Sequence, residues 1–316
     1  MRAVPERSAE IVPPSVVNRL RSRAAYEWRR LSCDLDLVGL RASRKPVLVA
    51  GPYLGEFGYE LMEWRPYALS IARKYREAVF ISAPGREALY RPHRFIGHEV
   101  DLRLAGYGFG AAGPVDERRI ALQIIAGNNI AKGDCDVLIP SMLTGRLKRT
   151  LFEPVWSGPE LIGAELDRAA RSDIVFHFRD IQKEGPDRRS DFSRRSAELL
   201  ASACGSAGWS AACIGDPRYA FCPAGCIDLR APDLAVAVAA LRQSSLFVGQ
   251  LSGPAHLAHL VGKPVVTWAE GEHRFMIFPG WNPHGAGLRV VSKTTYDPPV
   301  ESVLAAIRGA LEKRAA

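Results

Sequence analysis

Short apolar runs and longer amphipathic stretches alternate along the chain, and this alternation predicts strands and helices in turn. The predicted strands are Val47 to Ala50, Ala78 to Ser82, Val100 to Leu104, Val137 to Ile139, Ile174 to Asp180, Ser210 to Ile214, Leu246 to Val248 and a run from Val265. Helical spacing is found at Leu61 to Ile71, Phe192 to Cys204, Pro232 to Arg242 and Val300 to Lys313. Strands that alternate with helices favour parallel, doubly wound sheets, so the predicted fold class is α/β.

Breaks in this pattern divide the chain into four predicted parts. They are a basic helical extension (1–44), a first α/β domain (45–160), a second α/β domain (161–297) and a C-terminal helix (298–316). The segment between the two domains contains four helix- and strand-breaking residues: Pro154, Gly158, Pro159 and Gly163. No apolar stretch is long enough to span a membrane, and residues 1–10 lack the apolar core of a signal peptide, so we expect a cytoplasmic protein.

The N-terminal extension contains a predicted helix from Ser15, its expected cap, to about Leu31. Its apolar positions fall near one face, and arginines occupy the rest: Val16, Val17, Leu20, Ala24 and Trp28 against Arg19, Arg21, Arg23, Arg29 and Arg30. This pattern indicates a packing helix with a solvated basic face. Peripheral contact with an acidic membrane surface is the alternative.

The charge of the chain favours an anionic ligand. Lysine and arginine number 42 against 34 acidic residues, for a formal charge of +8. The basic clusters, Arg19 to Arg30 and Lys183 to Arg195, hold only Tyr26, Trp28 and Phe192 as aromatic residues and do not have the regular aromatic interleaving of a single-strand binder. A phosphate-rich small molecule is therefore a better expectation than nucleic acid.

The stretch from Ser245 to Trp268 combines a strand, a turn, a helix and a second strand. Ser252 and Gly253 leave backbone N–H groups unobstructed where Pro254 can occupy the first helical position. Free amides and the positive end of a helix dipole bind anions, and phosphate is the usual one. An ordinary crossover with a tight turn is the structural alternative.

The spacing Gly-x-x-Ser-Gly-Pro-x-His-Leu-Ala-x-x-x-Gly-x-Pro-Val-Val within this stretch resembles the donor-binding segment of heptosyltransferase-like GT-B glycosyltransferases. The resemblance implies two facing Rossmann-like domains with the active cleft between them. It also implies that Ser252, Gly253, Pro254 and His256 hold the diphosphate and sugar of a nucleotide-sugar. In such folds the last helix packs back across the first domain, and we expect the same here.

The first predicted strand leads into a glycine-rich loop that contains Gly55 and Gly58 and precedes an apolar helix. Its spacing is neither a dinucleotide fingerprint nor a P-loop, but it resembles the first loop of the same glycosyltransferases. That family carries an aspartate after the second glycine as the catalytic base, whereas this chain has Tyr59 there. Glu56 and Glu60 are the candidate bases, with Glu56 preferred because it lies in the loop. Glu60 has an equally ordinary alternative role as an acid at a helix N-terminus.

The predicted strand from Ile174 ends in polar residues. Side chains alternate along a strand, so His177 and Arg179 share a face, and Arg179 can fork onto a phosphate. Lys183, Arg188 and Arg189 add charge in the next loop. This strand end resembles the opening of the second heptosyltransferase domain and, more weakly, the His-x-Arg strand of GDP-fucose fucosyltransferases. An interdomain ion pair for Arg179 and a satisfied buried His177 are the alternatives.

Four further features complete the candidate site. Glu270 and Glu272 can bind ribose hydroxyls or cap a helix. The loop from Gly106 to Gly113 is a candidate for the acceptor side. The motif Asp-x-Asp, which can bind a metal ion, occurs at Asp34–Asp36 and at Asp134–Asp136. Helix caps and turns explain both pairs better than a metal site. The spacing of Cys213, Cys222 and Cys226 does not favour zinc, and reduced thiols are expected for all six cysteines.

The residue patterns and the resemblance together predict a metal-independent glycosyltransferase, and the resemblance alone further implies that it inverts the configuration of the sugar. The co-substrate is a nucleotide-diphosphate-sugar, no separate cofactor is expected, and the acceptor is a hydroxyl of a saccharide or natural product. A nucleotide-sugar epimerase or hydrolase is one alternative. A non-catalytic nucleotide-sugar binding protein is the other, and the missing aspartate at Tyr59 favours it.

Overall fold

The computed structural model describes residues 16–99, 116–144, 146–156, 161, 163–166, 171–180, 192–270 and 281–315. Its strands are β1 (Val47–Ala50), β2 (Glu77–Ser82), β3 (Arg94–Gly97), β4 (Cys135–Leu138), β5 (Ile174–Arg179), β6 (Ala211–Cys213), β7 (Ala220–Phe221), β8 (Ile227–Asp228), β9 (Leu246–Gln250), β10 (Val265–Trp268) and β11 (Leu288–Ser292). Its helices are α1 (Val16–Ala42), α2 (Phe57–Tyr59), a π-helix (Glu60–Trp64), α3 (Arg65–Ala72), α4 (Glu117–Gly127), α5 (Lys148–Leu151), α6 (Arg194–Ser206), α7 (Leu234–Gln243), α8 (Gly253–Leu260) and α9 (Val300–Ala315).

The first sheet is parallel and has the strand order β3-β2-β1-β4. Val47 of β1 pairs with Glu77 of β2 on one side and with Cys135 of β4 on the other. The chain moves outward from β1 to β2 and β3 and then returns to the opposite side of β1. Ligands in open α/β sheets bind at the carboxyl ends of strands at such a reversal, so the loop after β1 is well placed for a site.

The second sheet follows the order β11-β10-β9-β5-β6-β8, with β7 pairing antiparallel to the end of β5. Ile174 of β5 pairs in parallel with Ala211 of β6 and with Leu246 of β9. Strand order reverses between β5 and β9, so their carboxyl ends frame the second crevice of the molecule. Arg179 ends β5, and Ser252 follows β9 by two residues.

The two sheets are joined by one buried apolar cluster that includes both Leu48 of β1 and Phe247 of β9. A backbone hydrogen bond crosses between the two halves, because Leu234 N donates to Gly85 O at 2.8 Å. The halves are therefore in contact where the loop after β2 meets the start of α7.

The N-terminal helix is longer than the sequence pattern suggested, because it continues from Leu31 to Ala42. Cys33, Leu37 and Leu40 are buried at helical spacing and fix this second part of the helix to the first sheet's side of the molecule. The Asp34–Asp36 pair lies inside the helix, not in a turn or cap as we expected. Asp34 Oδ1 accepts a hydrogen bond from Leu147 N at 3.3 Å.

Two further expectations are corrected by the described residues. The C-terminal helix α9 packs on the second sheet and not across the first, because Val303 and Ile307 are buried with Ile174 and Trp268. Asp136 lies within β4, which begins two residues earlier than predicted. The predicted strand at 100–104 and the loop at 106–113 lie outside the described residues.

Three chemical features complete the description. No helix among the described residues is long and apolar enough to cross a membrane. All six cysteines are free. Within the described ranges, no group of three histidine, cysteine, aspartate or glutamate side chains is arranged to hold a metal ion.

Candidate active site

The loop after β1 is held against the neighbouring strands by its backbone. Gly51 N donates to Leu138 O at 2.8 Å, and Tyr53 N donates to Ile81 O at 3.0 Å. Gly51 has a φ of +120°, and a Cβ there would lie 2.3 Å from Ile81 O, so only glycine fits. The Tyr53 hydroxyl donates to Glu56 O at 2.9 Å and fixes the far end of the loop.

Glu56 is the last residue of this loop and immediately precedes α2. Its backbone is extended, its side chain makes no capping hydrogen bond to the helix, and the residue is exposed. The helical segment from Phe57 to Ala72 contains a π turn at Glu60–Trp64. Such turns occur often at functional sites. Glu56 is thus a solvent-facing carboxylate at the edge of the crevice.

Glu60, the other candidate base, is completely buried. Its carboxylate accepts hydrogen bonds from Ser82 Oγ at 2.5 Å, from the Tyr90 hydroxyl at 2.6 Å and from the Arg86 guanidinium. Burial and Glu60 together raise the pKa of Tyr90 well above its usual range, so the phenol remains a donor. The carboxylate is therefore enclosed in a polar network that leaves it no solvent exposure.

Helix α8 begins at Gly253, with Ser252 in an extended conformation before it. Pro254 is the second helical residue, one position later than we predicted. The Ser252 hydroxyl donates to Gln250 O at 3.1 Å and does not cap the helix. The positive end of α8 therefore lacks a side-chain cap and faces the crevice opposite the first loop.

The first loop and the start of α8 meet in direct contact. A Cβ on Gly58 would lie 3.3 Å from His256 Cδ2 and 3.9 Å from Gly253 Cα. A Cβ on Gly253 would lie 2.2 Å from Phe57 Cδ1. Glycine at both positions is what lets the two segments approach this closely. The structure thus brings together Gly58, Gly253 and His256, which the sequence motifs had placed in different domains.

His177, Arg179 and Ser252 lie at the carboxyl ends of β5 and β9. His177 Nδ1 is 3.5 Å from Ser252 Oγ. Arg179 is half-buried, its backbone N donates to Gln250 Oε1 at 3.1 Å, and its guanidinium lies 5.9 Å from the Tyr296 ring centroid. The predicted shared face of His177 and Arg179 agrees with this placement beside α8.

The two site histidines are neutral at ordinary pH. Burial, and next the charge of Arg179, lowers the pKa of His177 to about 4. Burial, and next His259, lowers the pKa of His256 to about 3. His256 is edge-on to Trp281 at 4.8 Å, and its Nδ1 has no hydrogen-bond partner among the described residues. The positive charge near the helix end therefore comes from Arg179 and the helix dipole.

The remaining candidates are Gly55, Glu270, Glu272 and the basic residues that follow Arg179 in the sequence. Glu270 is exposed and forms a single antiparallel bridge with Thr294. Glu272, Lys183, Arg188 and Arg189 lie outside the described residues. Gly55 is half-buried in the loop after β1, three residues before the Gly58 contact.

Sequence reasoning missed three residues of the site. Gln250 is fully buried, ties β9 to Arg179 through its Oε1, and has an Nε2 with no partner in the described part of the chain. Phe57 touches Gly253, and its ring lies 5.1 Å from the Arg86 guanidinium. A polar residue that ends an apolar run directly before a glycine-rich turn was the available signal for Gln250. Nothing in the local pattern pointed to Arg86.

Comparison with solved structures identifies the arrangement of the two sheets. A glycosyl transferase family 9 structure from Veillonella parvula matches with a TM-score of 0.53 at 15% identity, covering 86% of this chain and 98% of that one. The ADP-heptose lipopolysaccharide heptosyltransferase II of E. coli matches with a TM-score of 0.50 at 16% identity, covering 85% and 99%. The chain has a GT-B-like fold. No protein-family model matches the sequence, and no curated protein matches it.

The fold comparison confirms the predicted α/β architecture and the likeness to heptosyltransferase-like structures. At these identities the likeness establishes the fold. The weaker similarity of His177 to Arg179 to fucosyltransferases stays a prediction, as do the domain boundaries and the role of each site residue.

Proposed function

We propose that this protein is a glycosyltransferase that moves a sugar from a nucleotide-diphosphate-sugar to a hydroxyl of an acceptor. One observation carries the proposal: the loop that bears Glu56 touches the uncapped N-terminus of α8 through Gly58, His256 and Gly253. This contact lies at the strand ends of a fold shared with heptosyltransferase II, a protein whose name specifies an ADP-heptose donor. A nucleotide-sugar is the corresponding donor class here.

The donor half of the proposed site is formed by the ends of β5 and β9. The amide end of α8 at Ser252 and Gly253 binds the diphosphate, with Pro254 fixing the first turn. Arg179 forks onto a phosphate oxygen. His177 and His256 are uncharged and act as hydrogen-bonding groups toward the sugar or the phosphate.

Glu56 is the proposed general base. Glu56 is exposed at the crevice, whereas the carboxylate of Glu60 forms an ion pair with Arg86 and is buried from solvent. Glu56 removes the proton of the acceptor hydroxyl while that oxygen bonds to the anomeric carbon. The bond from the anomeric carbon to the diphosphate breaks on the opposite face, which inverts the configuration. Glu60 keeps a positioning role through Arg86 and Phe57.

The departing diphosphate is stabilised by the Arg179 guanidinium and the helix amides in this proposal. These groups supply the positive charge that a divalent metal provides in other transferases. For this reason we propose that the enzyme does not need a metal ion. Glu270 and Glu272 remain proposed ligands of the ribose. The acceptor is a hydroxyl of a saccharide or natural product, with the loop at 106–113 its proposed neighbour. Peripheral membrane contact and the cytoplasmic location stay predictions.

A thermal-shift screen with UDP, GDP, ADP, CMP and dTDP, each with Mg²⁺ and with a chelator, tests the donor site. A ligand that binds only the folded state stabilises it by about 2.7 kcal/mol at roughly 100 times its dissociation constant. We expect one diphosphate to raise the melting temperature equally with Mg²⁺ and with chelator, and Arg179→Ala to abolish the shift.

The same preparation is then given the matching nucleotide-sugar and a panel of hydroxyl acceptors. Transfer to an acceptor supports the glycosyltransferase. Release or isomerisation of the sugar without an acceptor indicates the hydrolase or epimerase instead. Binding with no turnover indicates the non-catalytic binding protein, and the absence of any thermal shift contradicts the nucleotide site itself.

A further inference from the structure

Helix α1 exposes a continuous row of apolar side chains. Trp28 is 73% exposed, Leu31 50%, Leu35 63% and Val38 45%. These four residues are separated by three or four positions, so they lie on one face of the helix. We call them the α1 row. Apolar residues scattered singly on a surface are normal, but a contiguous row of this kind marks an interaction site.

The α1 row points away from the body of its own chain. Cys33, Leu37 and Leu40 are buried against the turn at 140–144 and α5. At about 100° per residue, this buried face is roughly opposite the α1 row. A partner seated on the row therefore meets the helix on its outer side, without competing with the contacts that hold α1 in place.

Small residues border the α1 row at intervals of seven: Ala25, Ser32 and Gly39. Gly39 lies in the helix interior, where glycine is about 1 kcal/mol less favourable than alanine. A Cβ at Gly39 would meet no described atom within 4 Å, so nothing in the chain itself requires a glycine there. Close approach of a second helix does require small residues beside an apolar row.

We infer that the α1 row is the contact surface of a homodimer, in which α1 packs antiparallel against α1 of a second copy. A two-fold axis between Leu31 and Ser32 sets Trp28 opposite Leu35, Leu31 opposite Ser32 and Ala25 opposite Val38. The surface is thus self-complementary, as an isologous two-fold interface must be. The bodies of the two copies lie on the outer sides of the helix pair.

The charges beside the row favour a protein partner over a lipid surface. Glu27 and Asp34 lie beside the row as well as Arg23, Arg30 and Arg41, and Glu27 is paired with Arg146 at 2.9 Å. A helix that lies on an acidic membrane is bordered instead by lysine and arginine. The row exposes roughly 400 Å² of apolar surface per chain, and the flanking residues enlarge the contact. This interface is at the small end for stable complexes, so we expect a dimer of about micromolar affinity.

Sedimentation of the full chain from about 1 to 200 µM tests the dimer across its expected dissociation constant. We expect a concentration-dependent dimer for the wild type and a monomer for Leu35→Glu. Gly39→Leu is expected to weaken the dimer at least tenfold. The matched control is Leu199→Glu on α6, which alters a side chain 53% exposed elsewhere and should leave the dimer intact. Far-UV circular dichroism and melting temperature confirm that each variant is folded.

A cross-link fixes the orientation of the two helices. Ser32→Cys lies at the proposed axis, so mild oxidation should give a covalent dimer whose disulfide joins residue 32 to residue 32. A wild type that stays monomeric at every concentration, or a Leu35→Glu dimer as stable as the wild type, overturns the proposal. Co-sedimentation with phosphatidylglycerol vesicles that requires Leu35, in a protein that is monomeric in solution, assigns the row to a membrane instead.

Discussion

Phe57 and Gly253 touch across the crevice, where a Cβ on Gly253 would lie only 2.2 Å from Phe57 Cδ1. Phe57 begins α2, which follows β1, and Gly253 begins α8, which follows β9. This contact brings the segment that begins with the exposed Glu56 to the start of α8. The arrangement of the proposed base and the proposed donor site thus depends on a glycine that has no functional group of its own.

Gly253→Ala should separate these two segments. Overpacking of a close contact generally costs about 1–3 kcal/mol, and the methyl group would displace either Phe57 or the first turn of α8. We expect the free energy of unfolding, measured by urea titration, to fall by that amount, and diphosphate affinity to fall at least tenfold.

Gly309→Ala in α9 is the control for this change. A Cβ there would meet nothing within 4 Å, so alanine should stabilise the helix by about 1 kcal/mol and leave ligand affinity unchanged. Unaltered affinity in Gly253→Ala would show that the contact between Phe57 and Gly253 has no part in the donor site.

We expect Glu56→Gln to lose activity and Glu60→Gln to lose stability. Loss of a general base lowers kcat by about 10² to 10⁴, whereas Glu56 is exposed and its replacement should change stability by less than about 0.5 kcal/mol. Glu60→Gln leaves Arg86 without its anionic partner, so the free energy of unfolding should drop by about 2 kcal/mol or more. Steady-state kinetics and urea unfolding on the same preparations separate the two effects.

Glu60→Gln combined with Arg86→Gln should recover part of the lost stability, because the unpaired cation is then gone. The assignment of Glu56 would be contradicted if Glu56→Gln kept full activity while Glu60→Gln lost kcat at unchanged stability. Glu60 would then be the general base.

The two sheets and the turn before α8 could be predicted from the sequence for a local reason. β1, β9 and β10 are buried parallel strands that each begin with a short apolar run, and the Ser252 to Pro254 turn carries its own chemical pattern. The antiparallel pairing of β7 with β5 had no such signal, since each partner contributes only two residues.

What could not be predicted depends on contacts between distant segments. The choice between Glu56 and Glu60 was open because burial of Glu60 requires Ser82, Arg86 and Tyr90, which lie more than 20 positions away in the chain. The predicted position of α9 was wrong because the apolar face of this helix could pack on either sheet. Only the contacts with Ile174 and Trp268 in the folded structure show that it packs on the second sheet.

Arg179→Lys should weaken binding of the diphosphate by about 10- to 100-fold, since one point charge replaces a forked donor and a charge-assisted hydrogen bond contributes about 1.5–3 kcal/mol. Isothermal titration with the diphosphate found in the thermal-shift screen measures the change. Arg218→Ala is the control, because that side chain is 71% exposed and pairs with Asp216 on the surface. Equal losses in the two variants would contradict a specific forked contact between Arg179 and the diphosphate.

Stability should fall as the pH is lowered below about 6.5, because three buried histidines resist protonation in the folded state. The pKa of His177 is lowered from 6.5 to about 4 and that of His256 to about 3, while burial lowers that of His259 to about 4. Between these values and 6.5 the unfolded chain binds more protons than the folded one. Each histidine therefore removes at most about 1.4 kcal/mol of stability for every pH unit lost in that window.

Urea unfolding at pH 7.5, 6.5, 5.5 and 4.5, about the span of this window, measures the slope for the wild type and for His177→Gln. Carboxylates titrate in both proteins, so the difference between the two slopes isolates one histidine. We expect His177→Gln to be less stable than the wild type at pH 7.5 and to lose less stability on acidification. Parallel curves would mean that His177 has the same pKa in the folded and the unfolded chain, so that its burial does not oppose protonation.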